Sequence, residues 1–329
     1  MIKLRKKKMN NLLDLIDESK SISIISHINP DGDSLGSMLG LGLALKKIHP
    51  KVTIFVNDII PGKYMFLPGL NHLIKYDLNK WQNYELTFVL DCGDEKRLDQ
   101  SKALLKNSKR IVNIDHHISN DFFGDYNIID TKASSTCEII YYLLKERLNI
   151  EIDTDIATNL YVGIMTDTGS FKYDNTSPKT HITAANLLEA GIDTAEISLN
   201  LYQSNSIESM KFLGYILSNL ELHSNDKVAI VYITKDLIEQ FGIDPEETDS
   251  MINYARDLKG VEIAITLREL EVNLVKASFR AKGDFDVNKL ANAFGGGGHK
   301  KASGAVLEGA IDDVKEHILN EIEKTKVSW

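Results

Sequence analysis

Short apolar runs alternate with helical stretches through the first half of the chain. Ile22 to Ser26, Val52 to Val56, Leu86 to Leu90 and Ile111 to Ile114 are nearly continuous runs of large apolar residues. Between them, Ser34 to Lys47 is rich in Leu and small residues, and Ser101 to Asn107 carries a helical pattern. Runs with no alternating polar face predict strands buried on both sides, and helices between them predict right-handed crossovers in a mostly parallel sheet.

After Asp130 the pattern turns helical over Ser134 to Leu148, Ile156 to Met165, His181 to Ala190 and Thr194 to Leu201, and Ser206 to His223 continues with the same period. The final third reads differently. Strands are expected at Val228 to Ile233, Val261 to Leu267, Leu274 to Arg280 and Ala305 to Leu307, with helices at Pro245 to Ala255, Val287 to Phe294 and a last one ending near Lys326. The predicted fold is α/β: an N-terminal parallel-sheet domain with helices on both faces, plus a smaller C-terminal α/β domain with a mixed sheet, and an active-site cleft between them. The expected division is 1–192, a linker at 193–205, and 206–329.

Composition narrows the class. A chain of 329 residues exceeds what one hydrophobic core usually serves. A formal net charge of −9 argues against holding long duplex nucleic acid by charge alone. A small anionic substrate is compatible with it, because bound cations can reverse the local field. The two cysteines, Cys92 and Cys137, form neither a Cys-x-x-Cys pair nor a disulfide framework, which fits a reducing cytoplasm. The basic run Lys6-Lys7-Lys8 is followed by polar residues, so no signal peptide is expected, and no later segment is long enough to span a bilayer. That run reads as a solvated helix start.

Candidate chemistry gathers at the ends of predicted strands and beside helix starts. The clusters are His27-Ile28-Asn29-Pro30-Asp31-Gly32-Asp33, then Asp91, then Asp115-His116-His117, then Asp167 within Gly163 to Gly169. Each has a bland reading, since a lone Asp after a strand is commonly a cap or turn former. Together they are harder to dismiss, because the carboxyl ends of parallel strands share one edge, where ligands bind. Imidazole plus carboxylate donors suit Mn²⁺, Zn²⁺ or Fe²⁺, and cations explain how so many like charges converge.

Nearer the C-terminus, Gly295 to Gly298 followed by His299 is either a flexible turn or a nest whose N–H groups approach an anion. It is no P-loop, because no Gly-Lys-Ser/Thr closes it. Lys300, Lys301 and Ser303 add donors beside it, and Arg280 offers a bidentate grip on phosphate. Arg268 fits either that role or a surface charge. Ser134-Ser135-Thr136 fits either a helix N-cap or an anion site, and Tyr141 and Tyr142 read as packing residues.

In this order, the His-x-x-x-Asp-x-Asp of residues 27–33, Asp91, the Asp115-His116-His117 triplet and Asp167 resemble the four motifs of the DHH phosphoesterase superfamily. Ser278-Phe279-Arg280 and Phe294 to His299 resemble its DHH-associated C-terminal domain. The resemblance spans nearly the whole chain, and its size looks like that of the bacterial nanoRNase and pAp-phosphatase group. It implies that His27 and Asp31 hold one divalent metal, that Asp33, His116 and Asp167 hold a second, and that Asp91 bridges both. Asp115 would orient the histidines, and His117 would face the substrate phosphate. Arg280, Gly296, Gly297, Gly298, His299 and Ser303 would contact the substrate.

The implied activity is two-metal hydrolysis of short single-stranded oligonucleotides of about two to five units, together with nucleoside bisphosphates such as 3′-phosphoadenosine 5′-phosphate (pAp). Mn²⁺ is the first-choice metal, with Mg²⁺ and Co²⁺ as alternatives. The enzyme would be cytoplasmic, without a membrane partner, and could form a homodimer. Competing readings are a cyclic-dinucleotide phosphodiesterase, an inorganic pyrophosphatase, and a nucleotide-sensing or RNA-binding module without catalysis.

Overall fold

A computed structural model describes residues 12–80, 83–298 and 300–325. The basic run Lys6-Lys7-Lys8 and the candidate His299 lie outside the described residues. The chain divides into two compact units between Ser204 and Asn205.

The first unit runs α1 (Leu12–Glu18), β1 (Ile22–Ser26), α2 (Gly32–Ile48), β2 (Val52–Val56), β3 (Leu73–Lys75), β4 (Tyr84–Leu90), α3 (Ala103–Lys106), β5 (Ser108–Asp115), β6 (Tyr126–Ile129), α4 (Thr136–Tyr142), α5 (Thr154–Asp167), α6 (Pro178–Glu189) and α7 (Thr194–Tyr202). The six strands form a sheet of order β3-β2-β1-β4-β5-β6, with every pairing parallel. Every residue of β1 is buried, as its unbroken apolar run requires. Ile22 and Ile24 enter the main core with α1, α2, α4 and α5. Ile25 and Val89 point the other way, into a smaller core closed by Leu98 of the 3₁₀ segment Glu95–Lys102 and by Leu104 of α3. Both faces are therefore covered.

Helix α2 begins sharply because Asp31 and Ser34 form a reciprocal capping box. It lies unusually close to α5. A Cβ on Gly36 would sit 2.4 Å from the Asn159 carbonyl oxygen, so only glycine fits there. That closeness brings the start of α2 beside the end of α5.

Two short strands, β3 and β6, escape the apolar-run reading. Both sit at sheet edges; β3 is only half-buried or exposed, and β6, though buried over Asn127–Ile129, is short and broken by the polar Asn127, so neither leaves an unbroken apolar run. The helix expected over Ser134 to Leu148 starts at Thr136 and loosens into a π turn over Leu143–Leu148, which ends at the left-handed Asn149 (φ 51°).

The second unit contains α8 (Ile207–Ser218), β7 (Glu221–His223), β8 (Val228–Ile233), α9 (Lys235–Phe241), α10 (Ile252–Arg256), β9 (Ile263–Glu271), β10 (Leu274–Ala281), α11 (Val287–Ala293), β11 (Gly297–Gly298), β12 (Ala302–Glu308) and α12 (Ile311–Lys324). Its sheet has the order β11-β12-β10-β9-β8-β7 and is mixed: β8 and β9 are parallel and the remaining neighbours antiparallel. One face packs under α11 and α12. On the other, α8, α9 and α10 cover the β8 end.

Two expectations are corrected here, and one helix, α9, has no counterpart among the expected elements. The helix read through His223 stops at Ser218, and Glu221–His223 instead pairs with β8, whose ladder satisfies those backbone groups. Lys235–Phe241 forms α9, capped by Thr234 and closed by the left-handed Gly242. The helix expected over Pro245 to Ala255 begins as a 3₁₀ turn, Pro245–Ser250, because Thr248 Oγ1 bonds back to the Pro245 carbonyl at 2.6 Å.

Candidate active site

Strand order reverses between β1 and β4, the two central strands that run outward to opposite edges. Crossovers leave in opposite directions at such a point, and a crevice opens beyond the strands' carboxyl ends. His27 follows β1 directly, Asp91 follows β4, and Asp115 ends β5 before His116 and His117. Asp31 and Asp33 stand at the start of α2, and Asp167 is the last residue of α5. All eight candidate residues of this unit converge there.

His27 is buried, and its Nδ1 lies 2.6 Å from the Ile28 carbonyl oxygen. A proton on Nδ1 donates to that carbonyl, so the lone pair resides on Nε2. Nε2 is 3.4 Å from Asp91 Oδ2 and 3.8 Å from Asp31 Oδ2. His116 Nε2 lies 3.5 Å from Asp167 Oδ2, 3.7 Å from Asp91 Oδ1 and 3.9 Å from Asp33 Oδ2. Asp91 thus stands between the two sets. It adopts a left-handed backbone (φ 51°), a conformation Asp tolerates better than most residues and one often found at functional turns.

Among the described residues, three groupings have one donor atom per residue within 4.8 Å of one another: His27, Asp31 and Asp91; Asp33, His116 and Asp167; and Asp91, His116 and His117. Each mixes imidazole with carboxylate, a donor set that fits Mn²⁺ or another divalent cation of similar hardness.

The sequence reading of Ser134 to Thr136 resolves here. Ser135 does cap α4, accepting from the Glu138 N–H at 3.1 Å. The anion at that N-terminus is the chain's own Asp33, which accepts from the Thr136 N–H at 2.7 Å and the Cys137 N–H at 2.9 Å. The Thr136 hydroxyl donates to Asp91 Oδ1 at 3.1 Å. Asp115 bonds His117 Nδ1 at 2.5 Å and accepts from Asn120 Nδ2 at 2.6 Å. Thr136, Cys137 and Asn120 carry no signal of these roles in the sequence beyond the capping pattern around Ser135.

Crowding sets the protonation of the centre. Burial, with the like charges of Asp33 and Asp31, pushes Asp91 well above the usual carboxylate range. Desolvation likewise raises Asp167 to about 7, against the pull of His116. Burial alone would lower His116, but Asp167, Asp33 and Asp91 overcome it and hold it up at about 9. Burial also opposes ionisation of Asp115, yet the His117 hydrogen bond and charge keep it down at about 2. Protons are therefore retained where divalent cations would displace them.

The other candidates lie in the second unit. Arg280 is half-buried on β10, on the sheet face it shares with Lys276 and Ser278, and its Nη1 donates to the Phe279 carbonyl at 3.0 Å. Gly297 and Gly298 form β11 against Gly304 and Ser303. Ser303 is buried on the opposite face from Arg280, pairing with Phe279, and its hydroxyl donates to the Val287 carbonyl at 2.6 Å. Arg268 spends its guanidinium on Pro245, Thr248 and Asp249, which makes it a brace for that turn. Tyr141 is buried and Tyr142 packs against the same core, as expected.

A DHH-type nucleotide phosphoesterase fold and its companion domain are both recognisable by comparison. Residues 21–164 match the DHH family, N-terminal domain, and residues 225–326 match the DHHA1 domain. The chain belongs to the DHH family. Among its relatives, the bifunctional oligoribonuclease and PAP phosphatase NrnA of Bacillus subtilis is 31% identical over 300 residues, covering 90% of this chain and 92% of that protein. The protein of the same description from Thermus thermophilus is 31% identical over 303 residues, covering 92% and 89%. An exopolyphosphatase-related protein from Bacteroides fragilis has a crystal structure that superposes with a TM-score of 0.88 at 28% identity, covering 95% of both chains.

Proposed function

We propose that this protein hydrolyses short oligonucleotides to mononucleotides, and pAp to AMP, at a centre that takes two divalent cations, Mn²⁺ by preference. The observation that carries the reading is a pair of neighbouring Asp/His groupings, His27–Asp31–Asp91 and Asp33–His116–Asp167, with Asp91 a member of the first and its other oxygen 3.7 Å from His116 of the second. His27 and Asp31 would hold one ion, Asp33, His116 and Asp167 the other, with Asp91 serving both. Ions so held would supply Lewis acidity, easing loss of a proton from the attacking water and offsetting charge on phosphoryl oxygens.

The chain's own residues do the positioning. The N-terminus of α4 fixes Asp33, and the Thr136 hydroxyl fixes one oxygen of Asp91. Asp115 locks the tautomer and tilt of His117, which thereby keeps a steady direction for contact with a phosphoryl oxygen. In the reaction, water adds to phosphorus as the bond to the leaving oxygen breaks, and that oxygen departs with a proton. Arg280, the N–H groups of Gly296, Gly297 and Gly298, and His299 would grip a second phosphate, with Ser303 supporting the loop from beneath through its bond to Val287. Both related NrnA proteins are named for oligoribonuclease and PAP phosphatase activity, which supports this choice of substrates. The cytoplasm suits the two free cysteines, and among the described residues no helix is long and apolar enough to cross a membrane.

The test offers the purified protein, in Mn²⁺, a dinucleotide, pAp, cyclic di-AMP and pyrophosphate. Cleavage of the dinucleotide and pAp, abolished by a chelator and restored by Mn²⁺, is the expected result. Hydrolysis of none of the four would sink the proposal, and cleavage of pyrophosphate alone would reassign the substrate.

A further inference from the structure

Beyond Asp167 the backbone turns back through three consecutive left-handed residues, Gly169, Ser170 and Phe171 (φ 55°, 61° and 63°). Non-glycine residues seldom adopt that conformation, and it marks a turn held by its surroundings. Thr168 organises it: its hydroxyl accepts from the Phe171 N–H at 3.0 Å, and its carbonyl accepts from the N–H groups of Lys172 and Tyr173. The turn returns Asn175 to the end of α5.

The Asn175 side chain makes two bonds with one nitrogen. Nδ2 donates to the Asp167 carbonyl at 3.1 Å and to the Ser134 carbonyl at 2.9 Å. The first belongs to the residue whose carboxylate faces His116. The second immediately precedes the Ser135-Thr136 cap that grips Asp33 and touches Asp91. A simple helix cap would need only the first bond. The amide oxygen Oδ1 is fully enclosed and finds no hydrogen-bond partner among the described residues, so the donor bonds are what orient the amide. The Ser134 end is itself clamped, because buried Glu138 accepts from both the N–H and the hydroxyl of Ser134, and from Thr180.

We infer that Asn175 is a positioning residue: it ties Asp167 to the α4 N-terminus and so sets the spacing between Asp167 and the Asp33–Asp91 pair. It touches neither substrate nor reacting atoms and acts through backbone carbonyls. The inference rests on the reading that this centre holds divalent cations.

Isothermal titration of MnCl₂ into metal-free protein, beside dinucleotide hydrolysis at rising Mn²⁺, compares the parent with Asn175→Asp and Asn175→Ser. The first keeps the shape and removes both donors; the second removes the amide without adding charge, and serves if the first fails to fold. Expected is Mn²⁺ binding weakened by about tenfold in both, with kcat at saturating Mn²⁺ within about threefold of the parent and a metal-free melting temperature lowered by only a few degrees. Mn²⁺ affinity within about twofold of the parent overturns the inference, and so does a lowered melting temperature with unchanged affinity, which marks a purely structural role. A parent chain that neither binds Mn²⁺ nor cleaves any substrate defeats the metal reading itself, whereas a working parent with indifferent variants defeats only Asn175.

Discussion

The carboxylates of the first unit and the basic and glycine residues of the second are supported in different ways. Asp33, Asp91 and Asp115 are buried, and each is fixed by donors from the chain. Arg280 lies half-buried on β10, and Gly297 and Gly298 are exposed at a sheet edge. Converging negative charge in a dry place is unfavourable without counter-charge, so that region is built around cations. A half-buried arginine and a bare backbone need no such compensation, and suit a ligand that arrives and leaves. The rigid region should therefore govern turnover and metal, and the open one affinity for substrate.

The largest effect expected is from Asp91→Ala. It removes the carboxylate that stands between the two groupings, and initial rates at saturating Mn²⁺ should fall by more than about 100-fold while substrate binding persists. A fall of less than about tenfold would mean that Asp91 is not shared. Arg280→Ala tests the other side: KM should rise by about tenfold, with kcat changed by less than about threefold. Steady-state kinetics with a dinucleotide separates the two, and a drop confined to kcat would break the contrast.

Acidity sharpens it next. Asp167 at about 7 and His116 at about 9 both lie above their unfolded values, about 4 and 6.5. The folded chain then binds more protons than the unfolded one, so these two groups stabilise it at low pH and that stability is lost as pH rises from about 4 to 9. Asp115, held at about 2, works oppositely, and its contribution disappears as pH falls from about 4 towards 2. Thermal melts of metal-free protein should therefore decline towards pH 9, and Mn²⁺ should reverse the decline. Mn²⁺ affinity should climb by about tenfold per pH unit between about 7 and 9, where His116 must give up its proton, and more steeply below about 7, where Asp167 must too, with protons released on binding. The smallest effect is expected from Thr136→Val, which deletes the hydroxyl bond to Asp91 but keeps the backbone grip on Asp33. About a threefold loss of rate follows if that neutral donor contributes as hydrogen bonds usually do.

Much of the first unit is legible in the sequence because buried parallel strands leave unbroken apolar runs. Ile22 to Ser26 and Val52 to Val56 coincide with β1 and β2. Edge strands such as β3 leave no such run, and β7 hides in a spacing that also suits a helix. The convergence of His27, Asp31, Asp33, Asp91 and His116 follows from chain order plus strand-end geometry, whereas Asp167, at the end of α5, arrives through the close packing of α5 on α2, and its place among the ligands rests on the resemblance. What could not be read is who holds the ligands. Thr136 and Asn175 act through backbone groups and single hydrogen bonds across 40 or more positions, which no local pattern records. Ser303 shows the reverse failure: its neighbours suggest a phosphate donor, while strand alternation turns it inward.

Both cysteines of the chain are enclosed next to these carboxylates, Cys92 directly after Asp91 and Cys137 with its N–H on Asp33. Burial pushes the Cys92 thiol up to about 12 and the Cys137 thiol well above its ordinary value, so neither forms a nucleophilic thiolate in the closed structure. They are therefore built-in clocks for opening. A thiol reagent added to the native protein would label them only as fast as the centre breathes, and protection by Mn²⁺ would report how firmly the ion seals it.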